Sequence, residues 1–318
     1  MMKDLTSILV VLDRSARDMP LLAKALVLAR QLNARIELFS CDAEHEYARG
    51  RAYSQRGVEV ARQTAVADLS DYLRRLSHLV TAQKVAVTID VLCESPLYAG
   101  IVHKVFQSCP DLVMKAATSE PTSRRMALDL NDWHLVRTCP VPLMLSRGGV
   151  WSSAPRFVAA VDVSQEEKPG LVERIVRTAR YLSSGCHGEL DVVFGELPAV
   201  DAATGKAHAT RLGQVGAAQH LDADRLWTLK GDPVSTLPAF AEKQRTDVLV
   251  LGALSHQTGI TQLVGTLTRR LMDTIACDFI LVRPGRFEFP ARGRDEEVWA
   301  AEAWRNSYSS DLRPSSFA

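Results

Sequence analysis

Hydrophobic positions along this chain follow two alternating spacings. Runs such as Ile8-Leu-Val-Val-Leu12, ended by Asp13, are continuously apolar and only strand-sized. A run of that kind suits a strand buried on both faces of a parallel sheet. Between the runs, apolar residues recur at helical spacing. In 20–33, Leu21, Leu22, Ala25, Leu26, Leu28 and Ala29 lie on or near one side. The pattern predicts strands at 8–13, 35–41, 85–93, 111–116 and 141–145, and helices at 20–33, 58–80, 98–107 and 131–138.

The same order then begins again. Phe157-Val-Ala-Ala-Val161 is followed by Asp162, as the first run is by Asp13. Strands are predicted at 157–162, 189–194, 225–230, 247–251 and 279–282, with helices at 171–182, 234–243 and 267–275. The 198–221 region is shorter and richer in Gly and Ala than its counterpart. Gly231-Asp232-Pro233 parallels Glu94-Ser95-Pro96, and Asp247-Val-Leu-Val-Leu parallels Asp111-Leu-Val-Met-Lys. Cys139 and Cys277 hold similar places before the last strand of each pass. Alternating strands and helices imply an α/β fold of parallel βαβ units with right-handed crossovers. The expected division is a first domain over 1–149, a second over 154–285, a turn-rich join at 148–155, and a tail over 286–318. The tail carries one helix-like stretch, 296–305, with Trp299 and Trp304.

Composition narrows the function classes. A formal net charge of +1 over 318 residues gives no sign of a nucleic-acid binder. The apolar runs fall far short of the roughly 20 residues a membrane helix needs, and 7–12 is too short for a signal-peptide core. A cytoplasmic protein is expected. The six cysteines are scattered, with no Cys-x-x-Cys pair, and read as small buried hydrophobes in a reducing compartment. No metal is called for. Phosphate-loop, dinucleotide and hydrolase-elbow motifs do not occur. His103 and His134 fall on predicted helices and read as structural. The Arg124-Arg125 cluster reads as solvated surface.

One segment carries candidate chemistry: Leu251-Gly252-Ala-Leu-Ser255-His256-Gln-Thr-Gly259, running on through Gly265-Thr266 into a helix. Glycines let a loop wrap closely around a ligand. The helix start offers unpaired N–H groups and a positive dipole end to an anion. Thr266 is placed to cap that helix or to donate to a phosphate, and Arg269 and Arg270 add positive charge. The corresponding first-domain stretch, 116–130, contains no glycine.

On these residues the chain resembles the universal stress proteins. Their ATP-binding members carry Gly, two residues, Gly, nine residues, then Gly followed by Ser, Thr or Asn. This chain keeps the spacing as Gly252, Ser255, Gly265-Thr266, with serine in place of one glycine. The family also sets an Asp after the first strand against the adenine side, and Asp162 fits that role. The repeat and the Asp132-Trp133-His134-Leu135 stretch before Cys139-Pro140 look most like the tandem E-type members. The resemblance implies two flavodoxin-like domains (the adenine nucleotide alpha hydrolase-like fold). Each would be a five-stranded parallel sheet of order 3-2-1-4-5 with helices on both faces. It implies pairing of the two domains through their last strands as an intramolecular pseudo-dimer, with a homodimer left open. It implies an adenine nucleotide, ATP, in the second domain at Asp162, Gly252, Ser255, Gly265 and Thr266, with Val163, Val193, His256 and Arg269 as further candidates. The rival readings are a nucleotide-independent scaffold working through protein contacts or another ligand, and a slow ATPase. No general base is identifiable for the latter.

Overall fold

The computed structural model describes residues 5–42, 55–118, 128–147, 149–164, 170–253 and 266–283. Its strands are β1 Ser7–Val11, β2 Arg35–Asp42, β3 Val87–Cys93, β4 Leu112–Ala116, β5 Leu143–Ser146, β6 Arg156–Val161, β7 Glu189–Glu196, β8 Leu226–Lys230, β9 Val248–Gly252 and β10 Asp278–Val282. The helices are α1 Asp18–Leu32, α2 Gln55–Ala82, α3 Leu97–Ser108, α4 Leu130–Thr138, α5 Leu171–Gly185, α6 Ala202–Ala217, α7 Pro233–Lys243 and α8 Thr266–Thr274. None of the described helices is long and apolar enough to cross a membrane. The 296–305 stretch with Trp299 and Trp304 lies outside the described residues.

All these strands join one ten-stranded sheet, in the order β3-β2-β1-β4-β5-β10-β9-β6-β7-β8. Each half therefore has the expected order 3-2-1-4-5 and is parallel throughout. The halves meet antiparallel, with Leu143, Met144 and Leu145 of β5 opposite Leu281, Ile280 and Phe279 of β10. Two apolar edges that would template unwanted pairing are thereby closed against each other.

Helices cover both faces, as the resemblance implied. On one face, β-strand residues such as Ile8, Val10 and Phe157 pack under α1, α2, α5 and α6. On the other, Leu9, Val158 and Phe279 pack under α3, α4, α7 and α8. Each layer runs through both halves. α1 and α5 touch across the seam: a Cβ on Gly185 would run into the Leu32 side chain, which would have to move to admit it. Nearby, the Leu5 N–H donates to the Tyr181 hydroxyl at 3.0 Å.

Local chemistry sets the element ends. An acid before the fourth strand of each half secures the first: Asp111 Oδ2 accepts the N–H groups of Thr6 and Ser7, and Asp247 Oδ2 that of Arg156. The last strand of the first half starts at Leu143, not 141, because Pro142 has no N–H to give the ladder. α7 opens one residue early at Pro233, whose missing N–H costs nothing there, while the Asp232 side chain caps Val234 N. The register also corrects the cysteine match. Leu143 pairs with Val113 and Phe279 with Leu249, so Cys277 takes the place of Val141 rather than Cys139. All six cysteines are free, and burial pushes the Cys41, Cys139 and Cys277 thiols up to about 12. Thiols so shifted are not nucleophiles at neutral pH.

The seam is tied by a buried cluster. Lys24 Nζ of α1 lies 2.6 Å from Asp278 Oδ2, and both side chains are 2% exposed. Lys24 also donates to Ser146 Oγ at 2.9 Å. Asp278 accepts the Arg147 N–H at 2.8 Å and the Trp151 indole N–H at 2.7 Å. Removing the carboxylate strands an ammonium and two further donors, whereas removing the amine leaves Asp278 with both N–H partners. Asp278→Ala is expected to cost about 3–5 kcal/mol, and Lys24→Met distinctly less. Urea unfolding of both variants checks the order, and equal losses would contradict this account of the cluster.

Candidate functional site

The two halves each have a topological switch point, where chain connections leave a strand pair in opposite directions and ligands of such sheets bind. In the second half it lies between β6 and β9, paired from Phe157↔Val248 onward. Asp162 and Val163 follow β6 at its carboxyl end. Gly252 ends β9 there, and α8 starts from the segment that follows. Asp162 is half-buried, and its Oδ1 accepts Ser164 N at 2.9 Å and Ser164 Oγ at 2.5 Å. This turn fixes the carboxylate at the rim of the crevice. Thr268, in the first turn of α8, donates its hydroxyl to the Gly252 carbonyl at 3.4 Å and ties helix to strand.

Gly252 has ordinary backbone geometry, so its role is space. A Cβ there would stand 3.2 Å from Leu171 Cδ2 and 3.5 Å from Ile175 Cδ1 of α5. The start of α5 thus leans directly on the end of β9. Val163 is buried, and its carbonyl accepts from Arg211 Nη1 of α6 at 3.3 Å. The Val193 side chain is 1% exposed, in the layer beneath α7. Arg269 is exposed and sits 5.7 Å over the Trp133 ring of α4. Ser255, His256, Gly259 and Gly265 lie outside the described residues, as does the side chain of Thr266. The structure thus brings Asp162, Val163 and Gly252 to one edge and directs Arg269 to the other half.

The first half fills the matching crevice with its own charges. Asp13 stands where Asp162 does and accepts Ser15 N at 3.0 Å. Arg17 lies 3.6 Å from Asp13 Oδ2 and donates to the Ala117 carbonyl at 2.6 Å. One guanidinium therefore spans the switch point from β1 to the end of β4. Burial raises the Asp13 carboxyl, but the Ser15 hydrogen bonds and Arg17 outweigh it and hold the group below its usual value. Asp18 accepts the N–H groups of Asp13 and Arg14 and the Tyr72 hydroxyl, the last at 2.6 Å. Burial lifts Asp18 above the usual carboxylate range, and burial with the Asp18 contact pushes the Tyr72 phenol up.

Below this, Lys115 of β4 meets Asp132 of α4 at 2.8 Å, with side chains 3% and 0% exposed. Lys115 also donates to the Ala116 carbonyl, and Asp132 accepts Thr118 N at 2.6 Å. Burial lifts Asp132 against the pull of Lys115. The strand registers and helix starts make Lys115 equivalent to Leu251 and Asp132 to Thr268. An ion pair thus replaces an apolar residue and a hydroxyl. Sequence reasoning passed over Arg17, Lys115 and Asp132. The available signal was a lysine inside an otherwise apolar buried run, which demands a counter-charge.

Both described candidate histidines are engaged. His103 Nδ1 is 2.9 Å from Glu94 Oε2, whose hydrogen bond raises the imidazole pKa. His134 stacks on Tyr98 with ring centroids 4.4 Å apart, and burial lowers its pKa. Among the described residues no group of three or more His, Cys, Asp or Glu side chains is placed to hold a metal ion.

The equivalence of the halves can be tested by transplant. Lys115→Leu alone leaves Asp132 buried without its cation and is expected to cost about 3–5 kcal/mol. Adding Asp132→Thr, the pair found in the second half, is expected to restore most of that loss. Chemical unfolding of the single and double variants decides, and a double variant no better than the single would break the equivalence.

No protein-family model matches the chain. Universal stress protein E of Salmonella typhi is 23% identical over 309 residues, spanning 92% of this chain and 98% of that protein. Among solved structures, a proposed universal stress protein from Pseudomonas aeruginosa UCBPP-PA14 superposes with a TM-score of 0.71 at 19% identity, covering 94% of this chain and 97% of that one. A universal stress protein from Archaeoglobus fulgidus DSM 4304 does so with a TM-score of 0.69 at 11% identity, covering 89% and 100%. The full-length match in sequence, the same fold, and the βα order carried twice in one sheet together support a tandem universal stress protein of the E type.

Proposed function

We propose that this protein is a cytoplasmic stress-response binding protein whose second domain, 154–285, holds an adenine nucleotide, ATP, at the β6–β9 crevice. In this reading Asp162 accepts from the adenine side, and the 252–266 segment with the start of α8 cradles the phosphates. Ser255, Gly265 and Thr266 are its contacts there, with Val163, Val193, His256 and Arg269 in reserve. The first domain, 1–149, is its structural partner in an intramolecular pseudo-dimer, and 286–318 is a tail. The observation that carries the reading is the contrast between the crevices. Arg17 bridges the first from Asp13 to Ala117, whereas in the second Asp162 follows β6 and Gly252, the first glycine of the motif, ends the neighbouring β9. The charged filling of the first crevice also favours a ligand-independent role for that half alone.

Calorimetric titration with ATP tests the placement. A hydrogen bond to a charged group is worth about 1.5–3 kcal/mol, so Asp162→Ala is expected to weaken binding roughly 10- to 100-fold. Asp13→Ala is expected to leave affinity unchanged. The opposite result would put the ligand in the first half. Gly252→Val drives a branched side chain into Leu171 and Ile175 and is expected to abolish binding.

Ser255 supplies the finer test. A side chain in a left-handed conformation costs about 1–2 kcal/mol, and restored glycine loosens the free loop by about 0.5–1 kcal/mol. The balance predicts that Ser255→Gly tightens ATP binding about three- to tenfold. Unchanged or weaker binding would make the serine hydroxyl a ligand contact, or remove the phosphate from this loop.

A further inference from the structure

We infer that each half holds the last helix of the other through a reciprocal arginine, and that Arg147 of the first half is a positioning residue for α8, the helix that opens on the crevice of the second. The affinity part of this inference rests on the function proposed above; the helix clamp itself does not.

α8 has nine residues, too few for a helix to persist in water unaided. Leu271 and Met272 bury one face. Its last carbonyls lack partners within the helix. Ile275 N and Thr274 Oγ1 serve the Leu271 carbonyl, at 2.9 Å and 3.2 Å. The Met272 and Ile275 carbonyls receive the guanidinium of Arg147, the latter at 3.3 Å. Arg147 directly follows β5, so this cap comes from across the seam. Its own N–H is anchored on Asp278, and its guanidinium carbon lies 5.1 Å from the Phe279 ring centroid. A cation here also opposes the negative end of the helix dipole.

The repeat predicts a mate for this contact, and one is present. By the β4–β5 and β9–β10 registers, Arg147 is equivalent to Arg283. Arg283 Nη1 donates to the carbonyl of Cys139 at the end of α4, at 3.5 Å. Cys139 is equivalent to Ile275, so the two contacts are related by the same two-fold operation. Trp133 and Arg269, which stack on each other 5.7 Å apart, are likewise equivalent positions. Arg147 makes the stronger grip, on two carbonyls against one. Its helix is the one that leads from the 252–266 segment, tied to β9 by Thr268.

The test uses the full chain and three variants, Arg147→Gln, Arg147→Lys and Arg283→Gln. Amide hydrogen exchange is read helix by helix, and ATP affinity by calorimetry. Arg147→Gln is expected to speed exchange of the α8 amides about tenfold or more and leave α4 unchanged. Arg283→Gln is expected to loosen α4 by a smaller factor and leave α8 unchanged. Arg147→Lys keeps the charge without the fork that reaches two carbonyls, and is expected to fall between wild type and Arg147→Gln. If Arg147→Gln does not fold, that lysine variant carries the comparison. ATP affinity is expected to fall about three- to tenfold with Arg147→Gln and to stay within about twofold with Arg283→Gln. Unchanged α8 exchange in the Arg147 variants, or equal loosening of both helices by either arginine, overturns the clamp. A wild-type chain that takes up no ATP defeats the proposed function, while the exchange pattern still decides the clamp. α8 loosened with affinity unchanged confirms the clamp but overturns Arg147 as a positioning residue for the site.

Discussion

The antiparallel pairing of β5 with β10 is the constraint on which the rest of this architecture depends. Two parallel sheets of the same topology can share an edge this way only if one is turned end for end. The carboxyl ends of the first half's strands then face the opposite rim of the sheet from those of the second. Ligands of such sheets bind at carboxyl ends, so the two crevices cannot share a ligand or touch one another's contents. Any communication between them has to pass along the seam. The elements next to the seam are α1 and α5 on one face, the last helices α4 and α8 on the other, and the segment between β5 and β6 that carries Trp151. That is where the cross-half contacts concentrate: Lys24 with Asp278, Arg147 with α8, Arg283 with α4, and Arg269 over Trp133.

The seam also separates the fates of the two crevices. A buried charge costs several kcal/mol unless it is paired, so Lys115 can exist in β4 only with Asp132 beneath it. The second half carries Leu251 and Thr268 at the same two places and has no such debt. Arg17 adds a second, more exposed link from the β1 turn to the far wall. The first crevice is thereby organised by contacts within the chain. In the second, Asp162 is held at the rim by the Ser164 turn, and the end of β9 is tied to α8 by the Thr268 hydroxyl. The same fold frame supports both outcomes because the differences sit at strand ends and in one helix turn. The layers under α1, α2, α5 and α6 are shared and apolar in both halves.

Much of this was legible in the sequence, for identifiable reasons. A continuous apolar run such as Ile8–Leu12 has few readings other than a buried parallel strand, and the run repeated with its terminal acid exposes the duplication. Strand order and seam followed from the family resemblance, not from spacing, since no local pattern says which edges meet. Pro142 moved a strand start by removing one ladder donor, a local rule that the apolar pattern of 141–145 concealed. The clusters were not legible at all. Lys24 lies on a helix whose pattern fits a solvent-facing lysine, yet it is 2% exposed because Asp278, far along the chain, arrives beside it. Val193 shows the converse. The family resemblance implies it as a further candidate contact, and the alternation of the strand puts its side chain beneath α7. Gly252 stands out from motif spacing and Asp162 from the repeat and the family resemblance, whereas the close approach of Leu171 to Gly252 is a tertiary fact.

A two-fold seam between identical chains sets each axial residue against a copy of itself. Two arginines so placed repel, and two tryptophans gain no cation. A chain that carries both copies is free of that restriction, because the equivalent positions are different residues. Position 133 is tryptophan and its mate 269 is arginine, which turns a self-contact into a cation–π pair worth about 0.5–1 kcal/mol at an exposed site. The arginine pair keeps the symmetric residue but breaks the symmetry of its grip, two carbonyls for Arg147 and one for Arg283. Covalent fusion therefore does more here than hold two domains near each other. It lets the halves take unlike roles at the contacts that join them, with the firmer hold falling on α8, the helix that stands at the end of the glycine-spaced segment.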